Sequence, residues 1–337
     1  MWCNLPGPIM FVAVALIGTI TLLRSDFDGV GPFEDGPTQA ALEARFDDAL
    51  ILREVSIGFW GGVRWNLFHE AGSGAVAGDN DWLFTDEEYE ALPGFEERLS
   101  DSLDTIAMVV SRFTADGVTV IPLLLPDKAR IMREQVMAPR PPRVEARYDT
   151  LLAGLAEREV QVIDLRPVLS AVPQAYLRTD THWTPEGARA VAGAIARPDV
   201  QVTAFATSKS TPVLHEGDLL AFVPTAPFPG PGAEALNTYD TIQRDSGLGA
   251  DLFGDISIPG VLIGTSYSAD SRWHFEGFLK DALEMDILNL AEEGAGPFAP
   301  IQAYLESEIY RDTPPEVVIW DIPERYTTLR QTTGDTP

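Results

Sequence analysis

An unbroken uncharged run, VTVIPLLL at residues 118–125, places the strongest constraint on the fold. A strand apolar on both faces has to be covered on both, whereas a strand with one wet face alternates apolar and polar side chains. A helical pattern over 93–116 precedes the run, and the alternation continues after it. A helix is expected over 144–157, a short strand (VQVID) over 160–164, and a helix over 184–196 in which Thr184 caps and Pro185 fits the first turn. Further buried strands are expected at 261–264, 285–290 and 317–320, separated by helices near 270–284 and 300–311. Such alternation implies an α/β fold with a mostly parallel central sheet and its ligand crevice at the carboxyl ends of the strands.

With 337 residues, 45% of them apolar, the chain has ample material for one large α/β domain. It carries 24 Lys and Arg against 51 Asp and Glu, a formal charge of −27, which speaks against nucleic acid as a partner because neutralising phosphates takes a cationic surplus. A single cysteine, Cys3, rules out a disulfide-stapled scaffold. There is no internal repeat.

Residues 5–23 (LPGPIMFVAVALIGTITLL) contain no charge. As a helix they would extend about 28 Å, close to the hydrocarbon thickness of a bilayer. No small-x-small cleavage signal follows closely, so an uncleaved transmembrane signal anchor is expected over 1–25, the alternative being a buried core helix. The one basic flank, Arg24, favours a cytoplasmic domain by the positive-inside rule. Residues 26–70 read as a linker and N-terminal helical region: acidic at 25–37, helically spaced at 38–54, then aromatic at Phe59, Trp60, Trp65 and Phe68, which are expected in a core. The main domain is placed at 71–330 and a tail at 331–337. Within that domain AVAGDNDWLF (75–84) reads as a β-hairpin and the Pro- and Gly-rich stretch 224–232 as a loop.

Three segments are expected at one edge of the sheet. In VLIGTSYS (261–268) a strand runs into Gly264, Thr265 and Ser266, a turn that can either project a nucleophilic hydroxyl beside free backbone N–H groups or simply cap a helix. In TDTHWTPEG (179–187) Asp180 and His182 lie two apart, so in an extended loop both point to the same side. There the imidazole can take the serine proton while the carboxylate orients it; a metal-ligand pair and a local turn are the competing readings. Metal is disfavoured because His69, His215 and His274 form no ligand-spaced cluster and no second cysteine exists. In VVIWDIPERY (317–326) Asp321, Glu324, Arg325 and Tyr326 arrive at the same edge, suited either to a polar substrate or to ion pairs.

Taken in order, TDTHWTPEG, then HEGDLL through Pro224, then GTSYS, then IWDIPERY, with GDNDWLF near Trp82 and LPDKARI near Lys128, the chain resembles the alginate O-acetyltransferase family (AlgJ/AlgX-like) from about residue 70 to 326. The resemblance implies an SGNH-hydrolase-like three-layer sandwich in which the Asp and His precede the serine. It implies Ser266 as nucleophile, His182 as general base and Asp180 as its orienting carboxylate, in agreement with the reading of the residues themselves. It further implies transfer of acetyl groups to exopolysaccharide hydroxyls on the periplasmic face of the inner membrane, with the acetyl supplied by a membrane-bound O-acyltransferase, and so opposes the vote of Arg24. No cofactor is implied.

Two features depart from the pattern. The chain ends soon after Tyr326, as in the shorter AlgJ-like members without the carbohydrate-binding module of AlgX-like ones. The other departure is charge, since −27 repels a polyanion such as alginate unless a basic patch compensates. Lys128, Arg130, Arg133, Arg140, Arg143 and Arg147, offset by Asp127, Glu134 and Glu145, are the one basic concentration, readable as a polymer groove, a docking face or a solvated helix face. Thr265, Arg272, Arg325, Tyr326, Lys128 and Arg130 are the candidates for substrate binding or oxyanion stabilisation. An acetyl esterase and a non-catalytic scaffold remain as alternative functions, because the same triad delivers acetyl to water in a wet site.

Overall fold

The computed structural model describes residues 6–24, 39, 43–45, 53–244 and 258–330. The acidic linker and the tail at 331–337 lie outside the described residues; of the stretch 38–54, the described positions 39, 43–45, 53 and 54 are helical. The chain divides into two compact units, Met1–Glu70 with Val223–Gly230, and Ala71–Phe222 with Pro231–Pro337.

The first unit contains α1 (Pro6–Arg24) and α2 (Arg53–Val63), which runs on into a π-helical turn at Arg64–Phe68. The inner face of α2 is made of glycines. A Cβ at Gly58 would stand 1.8 Å from the Ala226 carbonyl oxygen and one at Gly61 2.0 Å from that of Pro224, so any side chain there would drive the helix off the loop. The aromatic core expected here is confined to Trp65, which is 5% exposed, while Phe59, Trp60 and Phe68 face outward at 45%, 63% and 64%. The glycine contact leaves no depth for rings on the inner side of α2. Helix α1 has a single charged residue, Arg24, at its end. Among the described residues no helix is long and apolar enough to cross a membrane, so the expected span is not a feature of the fold as described.

The second unit is built on a parallel sheet of four strands in the order β3 (Thr119–Leu125), β10 (Val317–Pro323), β8 (Gly260–Ile263), β9 (Ile287–Asn289). Every residue of β10 is buried, which places the run VVIWDIP at the centre. Side-chain alternation divides the core. Leu123, Leu125, Leu262 and Ile319 pack on one face with α7 (Pro185–Ala194) and α9 (Phe275–Leu283), whereas Leu124, Val261, Ile263, Val318 and Trp320 pack on the other with α3 (Phe95–Ala115), α5 (Pro142–Glu157) and α10 (Phe298–Glu306). The result is the three-layer arrangement expected from the alternation of elements.

Three small antiparallel pairs decorate it. The hairpin of β1 (Ala75–Ala77) and β2 (Leu83–Thr85) forms as expected; β4 (Phe205–Lys209) pairs with β7 (Tyr239–Gln243), and β5 (Val213–His215) with β6 (Glu234–Leu236). The strand expected at 160–164 does not join a ladder. Its end is taken into a local turn instead, where Asp164 Oδ1 accepts from the Arg166 N–H at 3.0 Å and α6 (Arg166–Ser170) begins. The helix expected near 270–284 is likewise interrupted. The short α8 (Ser266–Ala269) and a 3-10 turn at Ser271–Trp273 precede α9, because His274 adopts φ 55°. Ser307 breaks the one near 300–311 by capping α11 (Glu308–Asp312).

Candidate active site

Strand β8 ends in Gly264, whose Cβ, if present, would lie 2.2 Å from Asp321 Oδ2; glycine alone lets the chain turn this closely over β10. Thr265 follows as the N-cap of α8, and Ser266 is the first helical residue. The Thr265 N–H donates to both oxygens of Asp321 at 3.1 Å, its hydroxyl donates to Oδ1 at 2.7 Å, and the Ser268 hydroxyl donates to Oδ2. Burial pushes the Asp321 carboxyl above its ordinary range, against the pull of those hydrogen bonds. Asp321 is thus the support of the serine turn and not a substrate contact. Thr265, a candidate oxyanion donor, has its N–H committed to Asp321.

The segment before α7 brings the base to the serine. Thr184 caps α7 by accepting from the Gly187 N–H at 3.1 Å and ties back to the Gln174 carbonyl at 2.7 Å, which fixes the preceding Asp-Thr-His. His182 Nε2 lies 2.7 Å from Ser266 Oγ, and His182 Nδ1 2.7 Å from Asp180 Oδ1. With the carboxylate accepting from Nδ1, Nε2 is the free acceptor for the serine proton. Trp273 stacks on the imidazole with centroids 5.1 Å apart and donates its Nε1–H to the Ser266 carbonyl at 3.2 Å.

One partner was missed by reasoning from sequence. His215 Nε2 is 2.7 Å from Asp180 Oδ2, so a single buried carboxylate holds two imidazoles. Burial alone would raise the Asp180 carboxyl, but the hydrogen bonds from His182 and His215 hold it well below the usual carboxylate range. The available signal was HEGDLL, which supplies both His215 and Asp218; it carried the resemblance without being assigned a role. Asp180, His182 and Asp218 also bring ligand-type atoms within 4.8 Å of one another, but the short Asp180–His182 hydrogen bond already uses two of them.

The remaining candidates separate. Arg325 and Tyr326 line the same cleft as Ser266 and His182, a cavity of about 490 Å³. Arg272 does not; it pairs with Asp270 and reaches His215 Nδ1 at 3.4 Å. Lys128 and Arg130 are not substrate contacts but lie inside the protein. The Lys128 ammonium donates to the carbonyls of Leu83, Arg178 and Asp180, the last two at 3.1 and 2.9 Å, and so fixes the backbone beneath the triad-like pair. Arg130 donates to Glu324 at 2.6 and 2.9 Å, while Arg147 and Arg140 converge on Asp127. The basic concentration of the sequence is therefore mostly an internal ion network at the carboxyl ends of β3 and β10, with Glu324 buried in it.

A parallel sheet between helices, with a serine on a strand-to-helix turn and an Asp-x-His loop meeting it at the carboxyl edge, defines an SGNH-hydrolase-like α/β protein. The chain belongs to the family described as SGNH hydrolase-like domain, acetyltransferase AlgX, whose model matches residues 75–324. It is similar to the probable alginate O-acetylase AlgJ of Pseudomonas aeruginosa, 36% identical across 88% of this chain and 81% of that protein. The probable alginate O-acetylase AlgJ of Azotobacter vinelandii is 34% identical across 88% of this chain and 80% of its own length. Among solved structures, the O-acetyltransferase domain of Pseudomonas putida AlgJ superposes with a TM-score of 0.71 at 31% identity, covering 80% of this chain and 96% of that one. Pseudomonas aeruginosa AlgX, 20% identical with a TM-score of 0.60 over 80% of this chain and 66% of that one, shares the fold.

Proposed function

We propose that the chain is a polysaccharide O-acetyltransferase that works through an acetyl-serine. The observation that carries this reading is the Ser266–His182–Asp180 relay, with both links at 2.7 Å, opening into a cleft of about 490 Å³. Ser266 Oγ attacks the carbonyl carbon of an acetyl ester or thioester as His182 Nε2 takes its proton. The tetrahedral oxyanion is met by the Ser266 N–H, which as the first of its helix has no partner within it. The donor's ester bond breaks, and the leaving group receives the proton from His182. A sugar hydroxyl, deprotonated by the same imidazole, then attacks the acetyl carbon and releases Ser266. Asp180 keeps His182 in the required tautomer and stabilises the imidazolium.

Relatives named alginate O-acetylase support acetyl transfer to a polysaccharide. The reading extends to a periplasmic domain supplied with acetyl by a membrane-bound O-acyltransferase.

The test is incubation of the full-length chain with an activated acetyl ester and oligosaccharides, followed by intact-mass and product analysis. An acetyl adduct and acetylated sugar are expected from the wild type, with both lost in Ser266→Ala. Acetate release without sugar product identifies an esterase, and Ser266-independent product rejects the mechanism.

A further inference from the structure

Asp180 is shared by two imidazoles, and behind the second stands a cation. His215 Nε2 lies 2.7 Å from Asp180 Oδ2, and on the other side of the ring Nδ1 lies 3.4 Å from Arg272 Nη1. A guanidinium has N–H donors and no acceptor, so Nδ1 presents its lone pair and the ring proton sits on Nε2, where it is donated to the carboxylate. His182 on the same carboxylate has the opposite tautomer, with Nδ1–H donated and Nε2 left to accept. The arginine is itself fixed. Asp270 accepts from its Nε at 2.8 Å, from its Nη2, and from its backbone N–H at 2.9 Å, while the guanidinium lies over Trp273, 5.0 Å from the ring centre. That leaves Nη1 turned toward His215.

We infer that Arg272 is a positioning residue for acyl transfer: by occupying Nδ1 of His215 it keeps that ring a neutral donor, so that Asp180 reserves its charge for the imidazolium forming at His182. The inference rests on the acetyl-serine reading and adds a residue to its relay. A proton arriving on His215 Nδ1 would set two N–H donors and two like charges 3.4 Å apart. It would also place an imidazolium against Asp180, competing for the charge that stabilises the proton taken from Ser266. Arg272 stands outside the lining of the cleft and its side chain is 53% exposed, so its loss opens His215 Nδ1 to water without removing a substrate contact. The charged groups around the ring are few. Asp180 faces it from the loop before α7, and Arg272 with Asp270 from the turn after α8, where Glu293 acts on the guanidinium from the loop after β9. Asp218 follows it in the chain and donates its N–H to Asp180 Oδ2 at 3.2 Å. Glu234, opposite His215 in the β5–β6 register, is turned to the N–H groups of Arg178 and Thr179.

The experiment records kcat and KM of the full-length chain on p-nitrophenyl acetate from about pH 5.5 to about pH 8.5, for the wild type, Arg272→Gln and Arg272→Lys, each also in a His215→Gln background. Glutamine keeps a donor for Asp180 Oδ2 and cannot take a proton. In Arg272→Gln, kcat is expected within about threefold of the wild type at the alkaline end and about tenfold or more below it at the acid end, because two rings instead of one must then be free of a second proton. KM should stay within about twofold, and Arg272→Lys should restore most of the loss. With His215→Gln the same substitution should have no pH-dependent effect. A deficit that is absent, equal at every pH, carried by KM, or retained in the His215→Gln background overturns the inference. Nitrogen-15 spectra of the histidine-labelled chain read the tautomer without turnover. The chain has four histidines, and the signals lost in His215→Gln identify the ring. In the wild type it should show a protonated Nε2 and a bare Nδ1 throughout the range, and in Arg272→Gln it should take a second proton as pH falls. A wild-type His215 protonated on both nitrogens at neutral pH overturns the inference. The expected spectra without Ser266-dependent turnover would reject the acetyl-serine reading and leave the hold of Arg272 on His215 standing.

Discussion

At the scale of single residues the site is a branched relay, with Asp180 shared between His182 and His215. His215 is buried behind the carboxylate and is absent from the cleft lining, so it acts on the reaction through Asp180 and through Trp273, against whose ring it packs edge-on at 5.5 Å. His215→Ala should therefore lower kcat by about ten- to a hundredfold while leaving KM within about twofold, as steady-state kinetics on a small acetyl ester would show. A comparable loss carried by KM would instead place His215 against substrate. Glu88 is the second telling residue. Burial and the charge of Asp127 push its carboxyl up from 4.5 to about 7, while its oxygens accept from the N–H groups of Lys128 and Ala129 at 3.1 and 2.7 Å. A carboxyl whose pKa is higher when folded binds a proton that the unfolded chain has released. Its contribution is thus complete below pH 4.5 and lost as pH rises toward 7, at up to about 1.4 kcal/mol per pH unit. Glu88→Gln removes that ionisation. Denaturant titrations between pH 5 and 7 should give a slope of stability against pH that is flatter, or more positive, than in the wild type, whatever the absolute level.

At the scale of elements, the turn from β8 into α8 is the least forgiving. In Gly264→Ala the new Cβ would meet Asp321 Oδ2 at 2.2 Å, and neither the central strand nor its carboxylate has room to retreat. A loss of a few kcal/mol together with acetylation activity is expected, read from urea unfolding and the mass assay. Thr184→Ala is milder. It removes the cap of α7 at a cost of about 1 kcal/mol, a drop of a few degrees in Tm, with activity falling further because the cap also anchors the His182 segment. Much of this architecture was legible: runs such as VTVIPLLL and VVIWDIP declared buried strands, and Thr184-Pro185 declared a helix start. The strand at 160–164 was not, because alternating apolar residues do not say whether a neighbouring strand is free to pair, and Asp164 turned the chain first. Ser266, His182 and Asp180 were expected to meet because chemistry restricts residue type and spacing, and they lie within hydrogen-bond reach of one another in the order Ser266–His182–Asp180. Lys128 and Arg130 were misplaced because a charged residue in sequence looks the same whether it faces solvent or a buried carboxylate.

At the scale of the whole molecule, charge is distributed by depth. Lys128, Arg130, Arg140, Arg147 and Arg325 are buried or nearly so, and Glu88, Asp127, Asp180, Asp321 and Glu324 are buried with them, so among the described residues the interior is close to neutral. Among the described residues the acidic excess is consequently a surface property. Surface charges of one sign repel across a folded chain more than across an expanded one, so they oppose folding in proportion to how little they are screened. Raising NaCl from about 10 mM to about 500 mM shrinks the screening length from about 30 Å to about 4 Å and should raise the Tm of the full-length chain by several degrees before levelling off. The internal network is shielded from bulk ions and should not weaken over the same range. Its weakening in Arg147→Met, which leaves Asp127 to Arg140 and Glu324 to Arg130 with one buried guanidinium fewer, would lower Tm at every salt concentration by a similar amount. A salt series in which the variant's deficit grows steadily with ionic strength would show instead that the network is exposed to solvent and that the charge is not layered in this way.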